Sequence, residues 1–165
     1  MGSYLGVVFL LLAAILQSTF MPQIRIFGGT PDLVFLMVLA WSINASLESS
    51  VAWAFIGGVA QDLLSAAPTG ASVVGLLLLV FGVDQIKRQV YHVGLLLIFA
   101  LVMVGTLAQK LIFALLLGIA GFQVNIIDHF VYVIVPSIAY NLVFTLPVLW
   151  LVRRLERSRD QRVVT

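Results

Sequence analysis

Apolar residues fill this chain in six long stretches, at roughly 4–21, 32–47, 50–66, 71–86, 93–120 and 129–152. A hydrocarbon core about 30 Å thick takes roughly 20 such residues as a helix. Lipid offers no partner to a backbone N–H or C=O, so each stretch has to satisfy its backbone internally. The stretches lack the alternation of a closed barrel and read as helices, which predicts an all-α polytopic membrane protein with about six transmembrane helices. The second to fourth are short for the core and are expected to extend into their loops or to have their ends shielded by neighbours. The fifth exceeds the bilayer by about eight residues and must tilt, bend or project past the surface.

The breaks between stretches have local causes. Pro22 and the run Phe27-Gly28-Gly29-Thr30-Pro31 stop the first helix, and Asp32 then stands where it caps the second. Pro68-Thr69-Gly70 makes the third connection a tight turn, and Gly121 to Asp128 separates the last two spans. Pro136 and Pro147 interrupt the hydrogen-bond ladder of the last span. A kink is expected there, with Asn141 between the prolines to satisfy freed carbonyls. No lysine or arginine precedes the first span and no small-x-small pattern closes it before Pro22, so it is expected to be retained rather than cleaved as a signal peptide.

Composition supports lipid as the solvent. Of 165 residues 62% are apolar and 10% charged, against about 25% charged in an ordinary globular chain. The spans leave no room for a soluble domain, so the chain divides into a transmembrane domain over 1–152 and a basic tail over 153–165. With the N-terminus cytoplasmic, six passes put Lys87, Arg88, Arg153, Arg154, Arg157, Arg159 and Arg162 inside and only Arg25 outside. That asymmetry predicts both termini in the cytoplasm, with Tyr4, Tyr91 and Trp150 near the inner interface. The net charge of +2 is then a topology signal, not a nucleic-acid footprint. The arginine-rich tail either rests on anionic lipid or docks a cytoplasmic partner.

Asp32, Glu48, Asp84 and Asp128 fall at span ends, which leaves Asp62 and Lys110 as the ionisable side chains well inside hydrocarbon. Such residues are costly in lipid and face protein. At about 1.5 Å per residue, both lie roughly 5–8 Å outward of the midplane. Gln17 is at a similar level, and Gln61 and Gln109 adjoin the two charges. A buried polar cluster of Gln17, Gln61, Asp62, Gln109 and Lys110 is therefore expected. Either an Asp62–Lys110 ion pair lies at its centre, or Lys110 snorkels outward while Asp62 is protonated or bonded to a neighbour. Ala54, Gly58, Asp62 and Ala66 recur every four residues, and this small face predicts close helix packing.

Catalytic chemistry is not indicated. The two histidines, His92 and His129, fall at opposite membrane faces, and there is no cysteine. No nucleophile, base and orienting group can therefore be assembled around them. Zinc-protease motifs, phosphate-cradling loops and paired catalytic carboxylates are missing, and no metal or cofactor is expected.

The stretch Gly57-Gly58-Val59-Ala60-Gln61-Asp62-Leu63-Leu64-Ser65-Ala66-Ala67-Pro68-Thr69-Gly70 resembles the rod shape-determining protein MreD family of bacteria. Pro31-Asp32-Leu33, Asn141 followed by Pro147, and the arginine-rich tail agree with it, so the resemblance spans essentially the whole chain. Carried over by position, Gly57, Asp62, Pro68 and Gly70 are the motif residues, with Gly58 beside them. Lys110 is not tied to the family pattern, so an ion pair with it would be peculiar to this chain. The resemblance implies a non-enzymatic scaffold of the cell-elongation machinery in the bacterial inner membrane. Such a scaffold binds the transmembrane helix of MreC and links MreB to the RodA glycosyltransferase and its class B penicillin-binding transpeptidase. The family is also similar in fold to the substrate-binding subunits of energy-coupling-factor transporters. The alternative is thus a vitamin-binding transport subunit anchored through Gln17, Gln61, Asp62 and Lys110.

Overall fold

A computed structural model of the chain describes residues 2–24, 29–65, 70–90, 93–119, 121 and 130–160, with the backbone alone at 2–5, 24, 130 and 155–160. Among these residues there are six α-helices and no strand: α1 (Gly2–Thr19), α2 (Leu33–Asn44), α3 (Leu47–Leu63), α4 (Ala71–Lys87), α5 (Leu95–Ile119) and α6 (Val135–Asp160). A 3-10 turn at Met21–Ile24, holding Pro22, follows α1, and a π-helical turn at Phe130–Ile134 leads into α6. Each apolar stretch of the sequence is thus a helix. The backbone of α6 continues through the first part of the basic tail.

Three segments are long and apolar enough to cross a membrane: Gly6–Gln23, Leu95–Ile119 and Val131–Arg154. The other helices are shorter. α3 and α4 have 17 residues each and cover about 25 Å, while α2 has 12 and covers only about 18 Å. α2 is short because it does not meet lipid. Every residue from Val34 to Ser42 is buried, the pattern of a helix enclosed on all sides. It packs against α1, α3, α4 and α6. The surrounding helices turn large apolar side chains outward, among them Ile15, Leu96, Val104, Leu115, Val143 and Trp150. In water such a surface would exceed what monomers expose; in a bilayer it meets acyl chains.

Apolar side chains gain little by leaving lipid for protein, so helix association rests on close packing and on polar contacts. The small face of α3 provides the first. A Cβ added at Gly58 would lie 2.6 Å from the Val73 Cα of α4, and one at Gly57 would lie 2.9 Å from Val34 of α2. The two glycines thus admit neighbours on two sides of one helix. Trp41 of α2 stacks on Trp53 of α3 with centroids 4.0 Å apart, and the Trp41 indole N–H donates to Ser49 at 3.0 Å. Trp53 in turn lies against Gly6 of α1, where a Cβ would come within 2.5 Å.

A helix end leaves N–H and C=O groups without partners in the helix itself. At both ends of α2 protein side chains supply them. At the N-terminus Gln17 of α1 accepts from the Val34 N–H at 3.0 Å and the Asp32 carboxylate accepts from the Phe35 N–H at 3.0 Å. At the C-terminus Lys87, in the last turn of α4, donates to the carbonyls of Ser42 and Ala45, each at 2.8 Å. A cation at a helix C-terminus also complements the macrodipole. Asp32 caps α2 as the sequence predicts, whereas Lys87, read from sequence as a topology charge, also holds the helix end.

Candidate polar site at the N-terminus of the buried helix

The polar side chains of the bundle converge on Asp32, which is 2% exposed. Its carboxylate accepts from the Phe35 N–H, from Gln61 Nε2 at 3.1 and 3.2 Å, and from Gln109 Nε2 at 3.1 Å. These donors take up the roughly four acceptor positions of a carboxylate. The Asp32 N–H donates to Asn141 Oδ1 at 2.8 Å, and Asn141 Nδ2 donates to Thr106 Oγ1 at 2.9 Å. α2, α3, α5 and α6 are thereby tied together through one acid. Two glycines make room for it. Gly29 lies so close to α6 that a Cβ would meet Pro136 at 2.5 Å, and Gly75 of α4 lies beneath Gln109, at 3.2 Å from Cγ by the same measure.

The carboxylate also orients the amides around it. An acceptor-only group draws the NH2 of both Gln61 and Gln109 toward itself and turns their carbonyl oxygens away. Both Oε1 atoms are buried without a hydrogen-bond partner, an arrangement that costs about 1–3 kcal/mol per group unless a donor meets it. Asp32, Gln61, Gln109, Gln17 and Lys110 all line one cavity of about 420 Å³, with Ser18, Thr30, Ser65 and Ser72 adding hydroxyls and Met21, Leu64 and Phe113 adding apolar wall. The cavity lies at the end of the bundle opposite Lys87. Lys110 is half-buried, and its ammonium has no hydrogen-bonding or ionic partner among the described residues.

Asp62 lies beside this cavity, not within it. Its carboxylate, 4% exposed, accepts from the Gly70 N–H at 2.7 Å and the Ser72 N–H at 3.0 Å. It therefore caps α4 from the last turn of α3, where negative charge complements the helix N-terminus. Gly70 has φ 99° and supplies no side-chain cap of its own, so the left-handed glycine and the distant acid work as a pair. The Asp62–Lys110 ion pair does not form, because the backbone amides of α4 hold the carboxylate. The other expectation, an acid bonded to its neighbours, describes it. Arg88–Asp84, at 2.9 Å, is the ion pair among the described residues. Asn141 does not serve the carbonyls freed by Pro147 either, since both ends of its amide are engaged by Asp32 and Thr106.

Of the remaining expected positions, Arg153 and Arg154 are exposed on α6, with the Arg154 guanidinium 5.2 Å over the Trp150 ring. The side chains of Arg157 and Arg159, together with Pro68, Ala66, Arg25, Arg162, Asp128, Tyr91 and both histidines, lie outside the described residues. No group of three potential metal ligands occurs among the described residues. Sequence reasoning missed Asp32 as the organising acid, and with it Thr106 and Asn141. The signal was the brevity of the second stretch, which brings its N-terminal cap into the protein interior.

A helical bundle with lipid-facing apolar surfaces and an internally satisfied polar core defines an α-helical membrane protein. Comparison with known families then places it: the model described as rod shape-determining protein MreD matches residues 2–159, and the chain belongs to that family. The family has a role in rod shape determination as part of the shape-determining complex, and it is a structural family not known as an enzyme. No curated protein and no solved structure matches the chain significantly. The transporter alternative draws no support from these comparisons.

Proposed function

We propose that this chain is a non-enzymatic scaffold of the bacterial cell-elongation complex that holds the transmembrane helix of MreC. Through MreC it connects the RodA glycosyltransferase and its class B penicillin-binding transpeptidase to the cytoplasmic MreB filament. The family match over residues 2–159 is the observation that carries this reading. The mechanism is packing, with small residues and buried polar anchors fixing the shape and register of an apolar surface on which a partner helix lies. Partner enzymes carry out the bond-making.

In this reading the chain crosses the inner membrane six times with both termini cytoplasmic. Lys87 and Arg88 at the end of α4 support that orientation, as do Arg153 and Arg154, which share a groove with Leu95 at the start of α5. All four belong to the end of the bundle opposite the Asp32 cluster, and lysine and arginine favour the cytoplasmic side. The test is a pull-down of the tagged full chain from native membranes. MreC and the elongation enzymes are expected in the eluate, and an eluate without them contradicts the proposal.

A further inference from the structure

We propose that the groove between the start of α5 and the end of α6 is a discrete site for a phospholipid of net negative charge. Of the residues lining it, Leu146, Leu149, Trp150, Arg153 and Arg154 belong to α6, and they recur at i, i+3, i+4, i+7 and i+8, the spacing of a single helix face. That face is graded along its axis. Leu146, Leu149 and Trp150 make its deeper part, and the two arginines stand about two turns beyond Leu146, at the end of the membrane-crossing segment Val131–Arg154. Leu95, on the other side of the groove, is where the crossing segment Leu95–Ile119 begins. The groove therefore runs from hydrocarbon to the membrane surface, with its aliphatic and cationic ends in the order of a lipid's own acyl chains and headgroup.

Net charge, and not the phosphate as such, is what the groove selects. Both arginines are exposed, and neither has an ionic partner among the described residues. The Arg154 guanidinium lies 5.2 Å over the Trp150 ring, a contact that orients it without neutralising it. No acid lines the groove among the described residues, and the positive end of the α5 dipole lies at Leu95. Every phospholipid brings a phosphate to these charges. A choline or ethanolamine headgroup also brings a cation, which this positive rim repels, whereas a glycerol headgroup brings none. Basic pockets between membrane helices bind acidic lipid headgroups on this ground. An acidic peptide would meet the same arginines, but Leu146 and Trp150 are 52% and 62% exposed and continue into the lipid-facing surface of α6 at Val143, a floor that suits acyl chains. A volume of about 480 Å³ lies within the roughly 300–1,000 Å³ of small-molecule sites. The inference needs this end of the bundle to meet a membrane surface, and it stands whether or not the chain holds MreC.

The full chain, purified in detergent and depleted of lipid, is offered phosphatidylglycerol, phosphatidylethanolamine or phosphatidylcholine with identical acyl chains, and retained lipid is counted by native mass spectrometry. An arginine at a membrane surface contributes roughly a fivefold preference for anionic lipid. Phosphatidylglycerol should therefore be retained over both zwitterionic lipids by at least about tenfold, the combined effect of two arginines. Arg153→Gln and Arg154→Gln should each lower that preference several-fold, and the double variant should abolish it at the wild-type melting temperature, since both side chains are exposed. The triple variant Arg157→Gln, Arg159→Gln and Arg162→Gln, which removes the other arginines of the tail, should keep most of the preference. Trp150→Ala should weaken retention of phosphatidylglycerol, and free glycerol 3-phosphate, an anion without acyl chains, should not displace it. Equal retention of the three lipids overturns the inference. So does a loss in the triple tail variant as large as that in the Arg153 and Arg154 double variant, which would make the attraction diffuse, or displacement of the lipid by glycerol 3-phosphate.

Discussion

Asp62 accepts a hydrogen bond from the Gly70 N–H at 2.7 Å, so the acid of α3 and the left-handed glycine before α4 close one turn between two helices. This gives the glycine-rich stretch that resembles the family a physical meaning in this chain. Gly57 and Gly58 let α2 and α4 approach α3, Gly70 takes the backbone conformation at which α4 can start, and Asp62 supplies the cap that glycine lacks. Asp62→Ala should lower the stability of the detergent-solubilised protein by about 0.5–2 kcal/mol, the usual range for a lost N-cap. Asp62→Asn, which retains an acceptor, should cost less. Thermal unfolding followed by circular dichroism reads both.

Because the carboxylate bonds to α4 and not to the lysine, Asp62→Ala and Lys110→Ala should behave independently. Their effects in a double-mutant cycle should add within about 0.5 kcal/mol. A coupling larger than 1 kcal/mol or so would mean the two charges do interact.

Lys87 reaches the carbonyls of Ser42 and Ala45 at the end of α2, each at 2.8 Å. Lys87→Met should destabilise the bundle by about 1.5–3 kcal/mol, the range for hydrogen bonds to a charged group, because it removes two such bonds to part-buried carbonyls. Arg88→Met should have little effect, because the Arg88–Asp84 pair lies at the surface with Arg88 68% exposed. Equal losses from the two variants would show that net charge, and not the cap, is what matters.

Packing at Gly58 leaves no room for a side chain, with Val73 of α4 within 2.6 Å of where Cβ would lie. Gly58→Val should therefore force α3 and α4 apart and cost about 1–3 kcal/mol. The same change at Gly82, where a Cβ meets nothing within 4 Å, should cost less than about 1 kcal/mol.

Asn141→Leu removes a side chain that joins the Asp32 N–H to Thr106 and leaves two buried polar groups unmet. A loss of about 2–5 kcal/mol is expected, large enough that the variant should be recovered in low yield. Thr106→Val, which removes one partner only, should cost less. Recovery of Asn141→Leu at wild-type yield and melting temperature would show that the Asp32 network does not hold the helices together.

The helices were legible in the sequence because lipid leaves one solution for an apolar stretch, and the breaks at Pro22, Pro31 and Gly70 are local chemistry. The gathering of Gln17, Gln61, Gln109 and Lys110 at one level was legible too, since depth follows from counting residues along a helix. What counting cannot show is which helix is enclosed. With each stretch set symmetrically in a bilayer, Asp32 lies at a surface; with α2 buried and 12 residues long, the same residue becomes the centre. The role of Asn141 differs from the sequence expectation, and the capping role of Lys87 goes beyond it, for a related reason. Their partners, Asp32 at 2.8 Å and the carbonyls of Ser42 and Ala45, belong to helices whose neighbours one-dimensional patterns do not reveal.

The proposed account stands on a bundle that crosses the membrane with its Asp32 cluster toward the outside and with Lys87, Arg88, Arg153 and Arg154 toward the cytoplasm. The chain contains no cysteine, so single substitutions can be read by a membrane-impermeant maleimide without background. Gln23→Cys, beside the polar cavity, should label in intact spheroplasts, and Gln89→Cys, beyond Lys87, should label only after permeabilisation. Labelling of both positions from the same side, or of Gln89→Cys alone in intact cells, would contradict the account.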